Sequence, residues 1–219
     1  MKHITTKSYD DRPDWIMVLA HGAGAPMDSP FMNELAGALE GHGIACLRFE
    51  FLYMEKRRED GKKRPPDRQP KLLECFRDVV EQVRARHGPD CRLLVGGKSM
   101  GGRMASLLAA QSPEGIAGVA CYGYPFHPPG KPDRWRTDHF PDICSPMLIV
   151  QGTRDPFGKC DEVESRDVIP DGSRLVWLEG GNHDFEPLVR SGRSRQDLID
   201  EAARATRQFA EAMYIKGDQ

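Results

Sequence analysis

Short runs of apolar residues alternate with longer amphipathic runs along most of the chain. A continuous apolar run of about four to eight residues is typical of a strand buried on both faces. On this basis we predict strands at 15–20, 44–49, 92–96, 116–122, 147–151 and 174–178. Because helical patterns separate these strands, we expect a mostly parallel sheet covered by helices.

The intervening segments carry start and stop signals for helices. Ser29 can cap a first helix, with Pro30 at its first position. A second helix follows Pro70 and stops at 88–89, and a third spans 100–111 before a proline. The last helix shows helical spacing of its apolar residues, which are Leu198, Ile199, Ala202, Thr206 (its methyl group), Phe209 and Met213.

Two longer segments, 51–70 and 123–145, lack this periodicity and are predicted to be irregular loops. Loops of such length inside a compact domain are often functional. The first holds a mixed charge cluster from Lys56 to Arg64, which could attract an anionic substrate or a partner protein. A mixed cluster of this kind is more often a solvated surface, because its acidic residues dilute the positive field.

Length and charge narrow the class of protein. The 219 residues suit a single domain, 1–219. The net charge of −2 gives no basic field for nucleic acid, so a small molecule fits better as a partner. No segment approaches a membrane span, and residues 1–14 do not form a signal peptide, so we expect a cytoplasmic protein without a membrane partner. The sequence does not indicate an oligomeric state.

The strand at 92–96 runs into Gly97-Lys98-Ser99-Met100-Gly101, and a helix follows. Strand, G-x-S-x-G and helix in this order form the context of a nucleophile elbow, in which a tight turn exposes a serine hydroxyl. Gly97-Lys98-Ser99 also imitates the end of a phosphate-binding loop, but that motif needs a glycine where Arg92 stands. Ser99 is therefore the candidate nucleophile.

A serine hydroxyl becomes a strong nucleophile when a base removes its proton and an acid orients that base. In folds with this elbow, the acid and the histidine follow the serine after later strands. Asp155 follows the strand at 147–151, and His183 follows the strand at 174–178. Asp184 is a rival acid, but its position next to His183 in sequence is poor for reaching that ring.

Backbone N–H groups must hold the oxyanion that forms during acyl transfer. One donor is expected from Met100, the residue after the nucleophile, and the other from the loop that follows the first strand. In that loop, His21-Gly22-Ala23-Gly24, the amide of Ala23 is favoured, with Gly22 and Gly24 as alternatives. His21 is interpreted as a structural residue, since one base is sufficient.

The loop after the strand at 116–122 should arch over the mouth of the site. Its residues Tyr124, Phe126 and His127 could shape a substrate pocket, or could belong to a proline-pinned loop that packs on the core. The histidines lack the spacing of metal ligands, so no metal site is predicted.

These motifs together resemble the α/β-hydrolase superfamily, and within it the small capless branch related to dienelactone hydrolases. They are similar to a family of bacterial predicted hydrolases whose eukaryotic relatives include a testis-expressed protein and a subunit of a histone-acetyltransferase complex. The resemblance covers roughly residues 15–209. It implies a three-layer α/β/α sandwich without a cap domain and the triad Ser99, Asp155 and His183. Dienelactone hydrolases use a cysteine nucleophile, so their lactone chemistry is not carried over to Ser99.

The sequence therefore predicts a serine hydrolase that cleaves a carboxylic ester or related acyl bond of a small-molecule substrate through an acyl-Ser99 intermediate. No metal or organic cofactor is expected. Two alternatives stay open: a peptidase or thioesterase that uses the same triad, and a non-catalytic interaction module built on this fold.

Overall fold

A computed structural model describes residues 2–11, 13–166 and 168–217, with side chains as far as residue 213. The strands of these residues are His3–Thr5 (β1), Trp15–Ala20 (β2), Ala45–Phe49 (β3), Arg92–Lys98 (β4), Gly118–Tyr122 (β5), Met147–Gly152 (β6) and Arg174–Leu178 (β7). They form one sheet in the order β1-β3-β2-β4-β5-β6-β7. Only β1 runs antiparallel to its neighbour within this sheet.

Helices cover both faces of the sheet. They are Pro30–Gly41 (α1), Leu52–Asp60 (α2), Gln69–His87 (α3), Met100–Gln111 (α4), Cys160–Glu164 (α5) and Arg195–Gly217 (α6). Helices α1 and α6 pack against each other on one face, while α3 and α4 pack together on the other. The expected three-layer α/β/α fold with a mostly parallel sheet is confirmed.

Strand β2 shows why a continuous apolar run was the right signal for this sheet. All six of its residues are buried. Ile16 and Val18 contribute to the core under α3 and α4, whereas Met17 and Leu19 contribute to the core under α1 and α6. Because successive side chains of a strand point to opposite faces, a central strand must be apolar at every position.

The prediction that 51–70 is irregular throughout is wrong, since helix α2 occupies Leu52–Asp60. The helix ends at Gly61, whose φ of 69° is the left-handed conformation that favours glycine at a helix C-terminus. Seven of its nine residues are polar or aromatic, so its sequence shows no clear helical spacing of apolar residues.

Parallel pairing brings the carboxyl ends of β2, β4, β6 and β7 to one edge of the sheet. The loops that follow these strands contain the 21–24 segment, Ser99, Asp155 and His183 in turn. Residues separated widely in sequence therefore meet at this edge, which is where open α/β sheets place their ligand sites.

His139 gives the fold a measurable pH dependence. Its Nε2 lies 2.8 Å from the hydroxyl of the fully buried Ser106 on α4. Burial, with a smaller contribution from Arg103, lowers the pKa of His139 to about 4. The unfolded chain binds this proton near pH 6.5, so stability is lost as the pH falls from about 6.5 towards 4.

We expect His139→Gln to remove part of that loss. Between pH 7 and pH 4 the wild-type free energy of unfolding should fall about 2 kcal/mol more than that of the variant. Urea denaturation at a series of pH values measures this difference. His3→Gln, at an exposed position of β1, is the matched control and should follow the wild type. Equal slopes for wild type and His139→Gln would contradict the assignment.

Candidate active site

Ser99 occupies a strained turn between β4 and α4. Its φ of 52° and ψ of −114° lie outside the regions that L-residues favour. The backbone is held on both sides, because the Ser99 N–H donates to Tyr122 O at 3.0 Å and the Ser99 carbonyl accepts from Arg103 N–H at 3.0 Å. Strain of this kind persists only where the surroundings determine it, and it is common at catalytic residues.

The two glycines of the motif allow the end of β2 to pass directly against the turn. A Cβ on Gly97 would lie 2.5 Å from Ala20 O, and one on Gly101 would lie 2.7 Å from His21 O. Real Cβ atoms do not approach backbone oxygens so closely. The spacing G-x-S-x-G is thus a packing requirement of this turn, as the sequence pattern indicated.

Asp155 and His183 are brought into contact by the loops after β6 and β7. His183 Nδ1 lies 2.7 Å from Asp155 Oδ2, and Asp155 is completely buried. Since a carboxylate oxygen accepts, Nδ1 is the nitrogen that carries the hydrogen, and in the neutral ring Nε2 is then the free nitrogen. That tautomer is the one a general base requires.

The approach of these loops depends on a third glycine. A Cβ on Gly152, the last residue of β6, would lie 2.6 Å from Asn182 O. The Arg154 N–H donates to Gly181 O at 2.9 Å, which joins the two loops through their backbones. Asp184, the rival acid, has a side chain that is 63% exposed and pairs with Lys98 instead of the His183 ring.

Two further residues contact His183, and the sequence interpretation did not assign either to the site. The ring of Phe157 lies over the imidazole, with 4.4 Å between centroids. Lys98, next to Ser99 in the chain, donates from Nζ to the His183 carbonyl and lies 3.3 Å from Asp184 Oδ1. Burial lowers the pKa of Lys98, whose ammonium also lies 5.1 Å from the ring centre of Phe31.

The 21–24 loop lies beside the nucleophile. A Cβ on Gly22 would lie 3.9 Å from Ser99 Cβ. His21 Nε2 accepts the Phe51 N–H at 3.2 Å, so Nδ1 carries the proton and donates to Gly22 O at 2.7 Å. With both ring nitrogens engaged, and with burial lowering the pKa of His21, this residue is structural, in line with its interpretation from sequence.

Hydrogen bonds to the Gly22 and Ala23 carbonyls set the direction of the N–H groups in this loop. Tyr53 of α2 donates its hydroxyl to Ala23 O at 3.0 Å, while Gly22 O accepts from His21. In a trans peptide the N–H points opposite to the preceding carbonyl, so the amides of Ala23 and Gly24 point away from these donors. Met100, at the start of α4, has no intrahelical acceptor for its N–H.

Helix α2 also anchors the longer segment that continues this loop, residues 22–28 (the 22–28 loop), through an ion-pair cluster. Glu50 has no exposed surface and accepts from Arg58 Nε at 2.7 Å and from the Met27 N–H at 3.3 Å. Arg58 also pairs with Asp28. Within the Lys56 to Arg64 cluster, Arg58 thus braces the loop, and Arg64 pairs with Asp60. Both guanidiniums thus have carboxylate partners within the chain.

The three residues predicted to shape a substrate pocket are placed in the core. Tyr124 and Phe126 have no exposed surface, and His127 is 2% exposed. The Tyr124 hydroxyl donates to Arg136 O at 2.8 Å, and His127 Nε2 lies 3.3 Å from Glu162 Oε2. They pack as the alternative interpretation of this loop described, and they could touch a substrate only after the loop moved.

Within the described residues, no group of three or more His, Cys, Asp or Glu side chains could hold a metal ion. The same residues contain no helix with both the length and the apolar character needed to cross a membrane.

A mostly parallel sheet with a strained serine turn and an acid–histidine pair at its carboxyl edge defines the α/β-hydrolase fold. The family model described as "Alpha/beta hydrolase domain" matches residues 13–211. The chain therefore belongs to this α/β-hydrolase family, and the resemblance noted in the sequence is confirmed.

Solved structures share the fold. A dienelactone hydrolase from Anabaena variabilis has a TM-score of 0.67 at 24% identity, over 90% of this chain and 85% of that one. Est1E from Butyrivibrio proteoclasticus, solved with ferulic acid bound, has a TM-score of 0.73 at 15% identity, over 96% and 95% of the two chains. A serine hydrolase without a lid from Xanthomonas campestris has a TM-score of 0.66 at 22% identity, over 90% and 83%.

Curated relatives are longer than this chain. A provisionally named phosphoribosyl transferase of Mycobacterium tuberculosis is 29% identical over 178 residues, covering 80% of this chain and 38% of that protein. A provisionally named carboxymethylenebutenolidase of Yersinia pestis is 31% identical over 150 residues, covering 62% and 53%. Since the chain spans about two fifths to one half of these proteins, their names describe those proteins only.

Proposed function

We propose that the chain is a serine hydrolase that cleaves a carboxylic ester or related acyl bond of a small molecule through an acyl-Ser99 intermediate. The observation that carries this proposal is the strained Ser99 turn at the same sheet edge as the 2.7 Å contact between His183 and Asp155. An elbow of this kind holds a hydroxyl in an exposed position, and the paired histidine can remove its proton.

The reaction follows from the roles of these groups. His183 Nε2 takes the Ser99 hydroxyl proton as the serine oxygen attacks the substrate carbonyl, and buried Asp155 stabilises the imidazolium. The Met100 and Ala23 amides, with Gly22 and Gly24 as alternatives to Ala23, hold the oxyanion. The alcohol leaves with the proton from His183, and water then repeats the sequence on the acyl-serine to release the acid and restore Ser99.

Labelling with a fluorophosphonate probe tests the proposal, because the probe phosphonylates only activated serines. We expect labelling of folded wild-type protein, with peptide mapping to Ser99. Ser112→Ala, at the other end of α4, should label like the wild type, while heat-denatured protein should not label. Folded protein that fails to label at Ser99 would contradict the proposal and favour a non-catalytic interaction module. A panel of esters, thioesters and peptides then identifies the bond that is cleaved.

Replacing Lys98 is expected to affect the stability and the activity of the protein differently. Its buried charge is costly, its partner Asp184 is mostly exposed, and its ammonium lies 5.1 Å and 5.9 Å from the ring centres of Phe31 and Phe185. Replacing a buried charge with an apolar residue of similar volume is often neutral or stabilising. Lys98→Met should therefore leave the free energy of unfolding unchanged or raise it by about 1 kcal/mol.

The same variant should lower kcat by about tenfold, because the His183 carbonyl loses its donor and the loop loses its tie to the nucleophile turn. Denaturant titration and ester kinetics on Lys98→Met measure both effects. Lys56→Met, at an exposed position of α2, is the matched control for both measurements. If Lys98→Met lowers the free energy of unfolding by several kcal/mol, the ion pair stabilises the fold and the prediction is wrong.

A further inference from the structure

Gln151 is a buried amide directly behind the acid–histidine pair. It is the penultimate residue of β6 and has no exposed surface. The apolar pattern of this strand places a core residue here, yet a polar side chain occupies the position. A buried amide is tolerated when its hydrogen-bonding groups have partners, so its contacts indicate its purpose.

Three acceptors surround the amide nitrogen of Gln151. Nε2 lies 3.0 Å from Asp155 Oδ2, 3.2 Å from Tyr124 O and 3.3 Å from Gly158 O. A primary amide has two hydrogens, so these acceptors use its full donor capacity. Rotating the amide by half a turn would put Oε1 against three oxygens. The orientation is therefore fixed, even though Oε1 has no hydrogen-bond partner among the described residues.

The carboxylate of Asp155 depends on few donors. Oδ1 accepts the Phe157 N–H at 2.9 Å, and Oδ2 accepts from His183 and from Gln151. Without Gln151, the one remaining donor to Oδ2 among the described residues would be His183, the side chain that Asp155 is meant to orient. Rotation of the carboxylate about Cβ–Cγ would then move Oδ2 out of line with Nδ1.

We infer that Gln151 is a positioning residue that fixes the Asp155 carboxylate, and through it the orientation and tautomer of His183. This inference rests on the proposed hydrolase function. Its amide also joins the two loops after β5 and β6, because Tyr124 O belongs to the first loop and Gly158 O to the second. Gln151 does not touch the substrate, so it acts through Asp155.

The test compares substitutions that separate donor from volume. Gln151→Met keeps the length of the side chain and removes both N–H groups, while Gln151→Glu keeps the shape and presents an oxygen to three acceptors. We expect kcat to fall about 10- to 100-fold in Gln151→Met, and further in Gln151→Glu, with KM changed less than twofold. A role in packing alone would leave Gln151→Met at the wild-type kcat.

A spectroscopic measurement reports on the pair without turnover. The Nδ1 proton of His183, bonded to a carboxylate, should give a downfield proton NMR signal that is assigned by its loss in His183→Ala. In Gln151→Met this signal should move or broaden through faster exchange with water. Thr206→Val is the control, since it removes a buried α6 hydroxyl whose partners are the Tyr122 hydroxyl and Ala202 O, and it should leave both the signal and kcat unchanged.

The outcomes separate the two proposals. A wild-type downfield signal that depends on Gln151, in protein that does not label with fluorophosphonate, supports the positioning role and contradicts the hydrolase. An unchanged signal and an unchanged kcat in Gln151→Met overturn the positioning role. If Gln151→Met does not fold, the amide protons of Gln151 in native protein decide the question: they should be slow to exchange and should shift in Asp155→Asn, and fast exchange without such a shift overturns the inference.

Discussion

Ser99→Ala is expected to lower kcat for a cleaved ester by about 10⁵-fold, the largest effect of any single substitution in this chain. Alanine removes the atom that attacks the carbonyl, and the turn leaves no neighbouring hydroxyl to replace it. Ser99 and alanine face the same backbone strain at a φ of 52°, so the free energy of unfolding should change by less than about 1 kcal/mol.

The measurement is steady-state hydrolysis, with active sites counted by stoichiometric fluorophosphonate labelling so that a trace contaminant is recognised. Thermal unfolding of the same preparations separates lost chemistry from lost structure. A folded Ser99→Ala protein that keeps more than a hundredth of the wild-type kcat would mean that the hydrolysis does not proceed through an acyl-Ser99 intermediate.

Asp155→Asn is expected to lower kcat by about 10³- to 10⁴-fold. The reason lies in the donors around this side chain. The Phe157 N–H requires an oxygen at the δ1 position, so the amide nitrogen of asparagine must take the δ2 position. There it faces the Gln151 amide and His183 Nδ1. His183 can then accept only through Nδ1, which places its proton on Nε2, where the base must be free.

Asp184→Asn is the matched control, since it changes the adjacent carboxylate in the same way. Because Asp184 contacts Lys98 and not the imidazole, we expect a loss of less than tenfold. Ester kinetics on both variants at pH 7 to 8 decide between the two acids. A larger loss in Asp184→Asn than in Asp155→Asn would show that the acid has been assigned to the wrong residue.

The features that could be predicted from the sequence are those that a local pattern of residues determines. A six-residue apolar run such as 15–20 is too short for a typical buried helix and fits a central strand, and the glycines around Ser99 mark close backbone approach. The order of Ser99, Asp155 and His183 after successive strands follows from the parallel sheet. The contact of Asp155 with His183 was expected on that ground.

The parts that were missed depend on contacts between distant segments. Helix α2 is held against the 22–28 loop by contacts of Tyr53 and Arg58. No periodicity of the sequence predicts contacts of this kind. In the sequence, Gln151 is one more residue of strand β6. Its hydrogen bond to Asp155 forms only in the folded chain, so the sequence pattern did not predict it. Tyr124 and Phe126 were candidates for a pocket because their loop leaves the right edge of the sheet, but side-chain direction is set by packing in the core.

Because α2 holds the 22–28 loop, heating should unfold this part of the protein before the sheet. α2 is a short helix with two buried residues, while β2 and β4 are buried along nearly their whole length. Proteins open first in the units with the least buried apolar surface. Detachment of α2 would release the carbonyls that Tyr53 holds while the sheet stays intact. Loss of catalytic competence should therefore precede global melting, and the amides of α2 should exchange with deuterium before those of the strands.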